Sequence, residues 1–160
     1  MKKTWVLIFS LFLVGCGYTI HGKASLPFDS IQITGIENRT LEPKLQDKLY
    51  RALTEEFLKQ GITVRPGADY KLSGTIHFFE LRVLSEKKDI AVEYEVAIKG
   101  DFKLFGPSGE MKTLKNIGSP FIVSFPGSGL MEDVIASKES ISEKAMRDMA
   151  VEIVSALIYL

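Results

Sequence analysis

The chain carries one cysteine, Cys16, and two histidines, His21 and His77. These side chains are the best suited to nucleophilic or metal chemistry, and their small number is the first constraint. One thiol makes no internal disulfide and no cysteine-rich zinc site. Two histidines far apart in sequence, with no cysteine cluster, make a poor metal centre. His77 lies in a strand-like run, where it reads as a solvent-facing or internally satisfied side chain. Ser108 sits in a "GPSG" turn with no placed histidine, so nothing activates its hydroxyl. The pairs Glu55–Glu56 and Glu93–Glu95 read as exposed helix and strand faces, whereas carboxylate catalysis needs opposed groups across a cleft. GxSxG, GxGxxG, phosphate-loop and HExxH patterns are absent from the sequence. The expectation is a non-enzyme with no catalytic residues, cofactor or metal.

Attachment chemistry is what remains for Cys16. The segment "MKKTWVLIFSLFLVGC" starts with Lys2 and Lys3 and continues into an apolar run from Trp5 to Val14, interrupted by Ser10. That run is well short of the roughly 20 residues needed to span a bilayer. It fits the hydrophobic region of a secretory signal peptide. Its end, Leu13-Val14-Gly15-Cys16, resembles a bacterial lipobox. The resemblance implies cleavage before Cys16, a diacylglycerol on its thiol and acylation of the new amine. Each buried methylene adds about 0.8 kcal/mol, so several acyl chains anchor firmly. The residue after the cysteine is Gly17 rather than aspartate, which resembles an outer-membrane address under enteric-type sorting rules; the leader alone fits a Gram-positive plasma-membrane lipoprotein as well.

The elements that follow must serve that anchored body. The 160 residues are 46% hydrophobic and 25% charged, which suits one domain with a real core. Twenty basic residues balance twenty acidic ones, and no basic excess points to nucleic acid. The expected organisation is a cleaved leader over 1–15, a lipidated tether over 16–29 and a single domain over 30–160.

"SIQITGI" (30–36) alternates as a strand does. Leu45, Leu49, Leu53 and Phe57, with Ala52 beside them, put an apolar stripe on a helix that Thr40 and Pro43 introduce and Gly61 ends. The charges Lys44, Asp47, Lys48, Arg51, Glu55, Glu56 and Lys59 fall largely off that stripe. "ITVRPGA" (62–68) predicts a brief strand and a turn. Tyr70, Leu72, Gly74, Ile76 and Phe78 alternate, then the phase changes to Phe79, Leu81 and Val83, as a bulge requires. "SEKKDI" (85–90) predicts a polar turn. Val92, Tyr94, Val96, Ile98, Gly100, Phe102 and Leu104 share one face of the next strand; Glu93, Glu95, Lys99, Asp101 and Lys103 share the other. "GPSG" (106–109) predicts a hairpin into a strand over 110–116, and residues 118–129 a partly extended loop. Ser140-x-x-Glu143 resembles a capping box opening a last helix, with Ala145, Met149, Ile153, Ala156, Leu157 and Leu160 on its apolar face. The expected fold is α+β: a two-layer sandwich of two amphipathic helices on one face of a mostly antiparallel four-stranded sheet.

Over nearly its whole length the chain resembles the lipopolysaccharide-assembly lipoprotein (LptE) family. The residues that carry the likeness are Cys16-Gly17-Tyr18, "IENRTLEPKLQDKLYRALTEEF" with Asn38 and Thr40 before the leucine-repeat helix, "DYKLSGTI", "VEYEVAIKGDFKLF" and the terminal helix. The resemblance implies an outer-membrane lipoprotein, anchored through Cys16 and facing the periplasm. Such a protein sits partly inside the β-barrel of an LptD-type partner as a plug, assists that barrel's assembly and helps deliver lipopolysaccharide to the outer leaflet. Lys87 and Lys88, in the loop before "VEYEV", are the implied lipopolysaccharide contacts, with Lys138 a second candidate by position; Glu86 and Asp89 beside the first two oppose an anion. An alternative is an outer-membrane lipoprotein that activates a periplasmic peptidoglycan synthase, which would share the leader and the motif-poor domain.

Overall fold

The computed structural model describes residues 26–87, 90–118, 120–124 and 131–158. Cys16, Gly17, Tyr18, Lys88 and Leu160 lie outside the described residues. The order is β1 (Ser30–Asn38), α1 (Leu45–Lys59), β2 (Thr63–Val64), β3 (Tyr70–Lys87), β4 (Ile90–Phe105), β5 (Met111–Ile117), β6 (Pro120–Ser124) and α2 (Met131–Ile158).

The leucine stripe behaves as its four-residue spacing demands. Leu45, Leu49, Leu53 and Phe57 are all fully buried, and Ala52 is buried beside them. Ile141, Ala145, Met146, Met149, Ala150, Ile153, Val154 and Leu157 form the matching face of α2. One core cluster joins both helices to Ile31, Ile33, Leu72, Ile76, Val96, Ile98, Phe102, Leu104 and Leu114 of the sheet. Both helices therefore cover the same face, as expected. Phe28, just before β1, belongs to this core and stacks on Tyr70 with ring centroids 4.4 Å apart.

The sheet differs from the expected one. It is mixed and six-stranded: five strands run in the order β2-β1-β3-β4-β5, and the sixth, β6, pairs with β4. β1 runs parallel to both β2 and β3; only the pairs β3–β4, β4–β5 and β4–β6 are antiparallel. The cause is α1: a helical crossover on one face returns the chain in the direction of the strand it left. β4 is long enough to take two partners on one edge. Gly100–Phe105 pairs with β5 and Glu93–Ala97 with β6.

Four further expectations need correction. The bulge is present, but the register shifts between Ile76 and Phe78, one residue earlier than the alternation implied. Phe78 consequently sits on the outer face, where the Lys99 ammonium lies 5.7 Å from its ring centroid. Most of the expected 85–90 turn is strand, because β3 runs through Lys87 and β4 starts at Ile90. The 118–129 loop contributes a real strand, β6. Finally, α2 begins at Met131, so Ser140-x-x-Glu143 lies inside the helix rather than at its start. An i, i+3 spacing is as natural mid-helix as at a cap. Nearby Ser142 shows how a helical serine is satisfied there, its hydroxyl donating to the Lys138 carbonyl at 2.9 Å.

Candidate functional site

The helix-free side of the sheet carries mostly charged and polar side chains, with Phe78 and Phe105 exposed among them. Lys99 and Lys103 are exposed and Asp101 is half-buried, while their strand neighbours Ile98, Gly100 and Phe102 point into the core. Across β1, β3, β4 and β5 this face forms an open concavity of about 880 Å³, lined by Glu37, Arg39, Thr75, His77, Asp101 and Lys103 among others. Charges of both signs alternate over it. Arg39 pairs with Glu37 at 2.9 Å, and that hydrogen bond holds the Glu37 carboxyl below its ordinary range. The His77 imidazole stands 3.7 Å from Asp101, whose carboxylate accepts the Asn116 backbone N–H at 2.8 Å. Asn116 reaches this position because the β4–β5 register shifts there, and its φ of 54° lies in the left-handed region that asparagine tolerates.

At the rim, the "ENRTLE" segment folds into a knot of side-chain bonds. The Asn38 carboxamide oxygen accepts from the Thr40 N–H (3.0 Å) and the Thr40 hydroxyl (2.8 Å), and its NH₂ donates to the Glu42 carbonyl (2.7 Å). This Asx-type turn orders the approach to α1, whose N-cap, Lys44, has φ 62° and no side-chain cap. The Glu42 carboxylate then reaches across to α2 and pairs with Lys138 at 2.7 Å. Glu42, Lys138, Leu41, Phe79 and Leu81 line a second open groove of about 580 Å³.

Of the sequence-derived site residues, Lys138 is thus half-exposed and already engaged by a carboxylate. Lys87 ends β3, six residues beyond the groove-lining Leu81, or about 20 Å along an extended strand. Lys87 and Lys138 therefore do not converge on one point. Two charges expected on the solvated face of α1 are buried: Lys48, which pairs with Glu139 of α2 at 3.0 Å, and Glu56, which accepts from Lys59 at 3.0 Å and Gln60 at 3.3 Å. The bond from Lys48 holds the Glu139 carboxyl below its ordinary range. Sequence reasoning missed Lys48 because its partner, Glu139, stands on a helix more than ninety positions away, which no local period reveals.

Among the described residues, no helix is long and apolar enough to cross a membrane, and no three ligand-type side chains cluster as a metal site would need. Two helices over a mixed sheet with a bare polar face define a two-layer α+β domain whose surfaces suit binding. No curated protein matches the chain. Among solved structures, one from Xanthomonas campestris is similar at TM-score 0.53 and 16% identity, with 84% of this chain and 88% of that one covered. A minor lipoprotein from Acinetobacter baumannii gives 0.49 and 12% (82% and 94% covered), and an uncharacterized lipoprotein B from Nitrosomonas europaea gives 0.49 and 18% (89% and 88%). The lipopolysaccharide-assembly family, LptE, matches over residues 28–157, and the chain belongs to that family. The family is one of non-catalytic lipoproteins.

Proposed function

We propose that this protein is an outer-membrane lipoprotein, anchored by acylated Cys16, that occupies the lumen of an LptD-type β-barrel, assists its assembly and helps pass lipopolysaccharide to the outer leaflet. The family match over residues 28–157 carries this reading. The polar sheet face supports it. A barrel lumen is lined by polar side chains, and a plug that presented the helices' apolar stripes instead would leave them unburied. In this reading Cys16 holds the domain at the membrane, and Lys87, which ends β3, and Lys88, next in sequence, meet the phosphates of the anionic lipid as charge-assisted donors. Lys138 must first share or release Glu42, which ranks it behind them.

The test is purification of the full-length lipoprotein from its own membranes, paired with depletion. Co-enrichment of a large outer-membrane barrel, together with loss of that barrel and of surface lipopolysaccharide on depletion, is the expected result. Intact barrel and lipopolysaccharide export on depletion overturns the proposal. Recovery of a peptidoglycan synthase in place of a barrel would favour the alternative.

A further inference from the structure

Beyond Ile76 the sheet loses its β1 side. β1 pairs with β3 as far as Ile76, whose carbonyl then accepts the Arg39 N–H at 2.9 Å. Among the described residues, β3 from Phe78 to Lys87 has β4 on one edge and no strand on the other. Handedness says which backbone groups face the free edge. The inward residues Leu72 and Ile76 turn their carbonyls to the β1 side, toward Thr34 and Arg39. In an L-chain of one direction, every inward residue does the same. After the bulge the inward positions are Phe79 and Leu81, which pack partly against the core opposite Ile98 and Val96. Their N–H and C=O groups therefore point into the free edge, beside the fully exposed Leu41.

The sequence along that edge, Phe79-Glu80-Leu81-Arg82-Val83, is complementary to itself when read backwards. A two-fold axis through Leu81 sets Leu81 opposite Leu81 of a second copy, Phe79 opposite Val83, and Glu80 opposite Arg82 twice. Leu81, with its backbone groups on the edge, then makes a hydrogen-bonded pair. Centring the axis on Glu80 or on Arg82 instead sets two like charges face to face, which opposes pairing. Glu80 and Arg82 both stand on the outer face, 42% and 55% exposed, where within one chain Arg82 donates to Glu80; in the two-fold register each keeps that neighbour and gains the opposite charge of the second copy. We propose that the free edge of β3 pairs antiparallel with the same edge of a second copy, in the register centred on Leu81, to form a two-fold dimer. A seam of this length is smaller than a standard stable interface, so the association is weak and reversible. The proposal stands apart from the barrel reading, which needs one copy.

The test is sedimentation equilibrium of the full-length chain in detergent, from roughly 1 μM to 1 mM. Arg82 also reaches Glu95 on β4 at 3.8 Å, so every protein compared, the reference included, carries Glu95→Gln. A salt-sensitive monomer–dimer equilibrium is expected. Arg82→Glu or Glu80→Arg alone weakens it by about tenfold or more, and the two together restore it to within about threefold. Circular dichroism confirms that each variant is folded. As a second measurement, Leu81→Cys traps a disulfide dimer under mild oxidation well above the level of the chain without it, which controls for Cys16. Paired residues in this register have Cα atoms about 5.5 Å apart, within disulfide reach. A chain that stays monomeric throughout, a double reversal that fails to restore pairing, or no added cross-link through position 81 overturns the proposal.

Discussion

Gly74 and Gly100 flank the ring of Phe102, and substituting the first tests how the sheet accepts its helices. An alanine methyl at Gly74 would overlap Phe102 Cδ1, its nearest neighbour, and lie 2.5 Å from Cε1 and 3.1 Å from Cγ. Relaxed carbon contacts are about 3.5–4.0 Å, so the ring must move by roughly 1 Å. It has little room, because Phe102 is fully buried; a methyl at Gly100 would meet both the far side of the same ring and Met149 of α2, each at 2.9 Å. Overpacking of this kind costs about 1–3 kcal/mol, and the closeness of the overlap puts Gly74→Ala at the upper end. With a urea slope of about 2 kcal/mol/M, the unfolding midpoint should fall by roughly 1 M. Phe102→Leu alone should also destabilise, by opening space. Combined, the alanine methyl fills part of that space, so the double variant should be more stable than the sum of the two by about 1 kcal/mol or more. The assay is urea unfolding followed by far-ultraviolet circular dichroism on the four proteins of the cycle. Additivity within about 0.5 kcal/mol would refute the reasoning, since it would mean that the methyl and the ring do not compete for one volume.

Asn38→Ala removes three hydrogen bonds of the "ENRT" turn and should cost about 1–3 kcal/mol in thermal or urea unfolding, with Asn38→Asp recovering the two bonds that the oxygen accepts. Glu139 supplies a pH dependence. Its carboxyl is held below the ordinary value of 4.5 by the Lys48 bond, so its contribution to stability is present above 4.5 and disappears as pH falls through the lower folded value. Unfolding curves of the parent and Glu139→Gln should therefore separate above that window and converge below it. Lys48→Met, which removes the buried ammonium while keeping the stem's packing, should change stability by less than about 1 kcal/mol, as measured by the same unfolding curves. For lipopolysaccharide, Lys87→Ala with Lys88→Ala should reduce binding to purified lipopolysaccharide more than Lys138→Ala does. Glu42→Gln should raise the contribution of Lys138 by freeing its ammonium.

Local periodicity exposed those parts of the fold whose cause is local. The Leu45–Phe57 stripe, the one-sided burial of Val96 to Leu104 and the "GPSG" hairpin all follow from side-chain spacing and turn chemistry within a few residues. The hairpin closes with the Gly106 N–H donating to the Glu110 carbonyl at 2.9 Å, and Gly109 takes a φ of 84°. What escaped depends on partners distant in sequence. Nothing in "SIQITGI" states that its neighbours will run parallel, because that is decided by the helix that follows it. The first nine residues of α2 do hold Met131, Val134 and Ile135 at helical spacing, but they follow a glycine- and serine-rich stretch, and a pattern resembling a cap displaced the apparent start to Ser140. The bulge was legible to within one residue because it changes which side of the strand faces oil, while its exact place depends on where β4 pairs. The charged groups on the site were visible as residue types, but their pairings were not: Lys138 with Glu42 joins α2 to the β1–α1 turn, and Lys48 with Glu139 joins the two helices.

The bulge beside His77 also has a mechanical consequence. β3 continues ten residues past it to Lys87, a reach of about 33 Å at ordinary strand rise. The bulge is the fulcrum of a lever whose near side is clamped between β1 and β4 and whose far side carries the β3–β4 tip. A change in bend of about ten degrees at that fulcrum would swing the far end by roughly 6 Å, a little more than the spacing of one strand from the next. A small local adjustment at His77 is thus geared into a displacement large enough to move the tip from one lattice row of a neighbouring sheet to another.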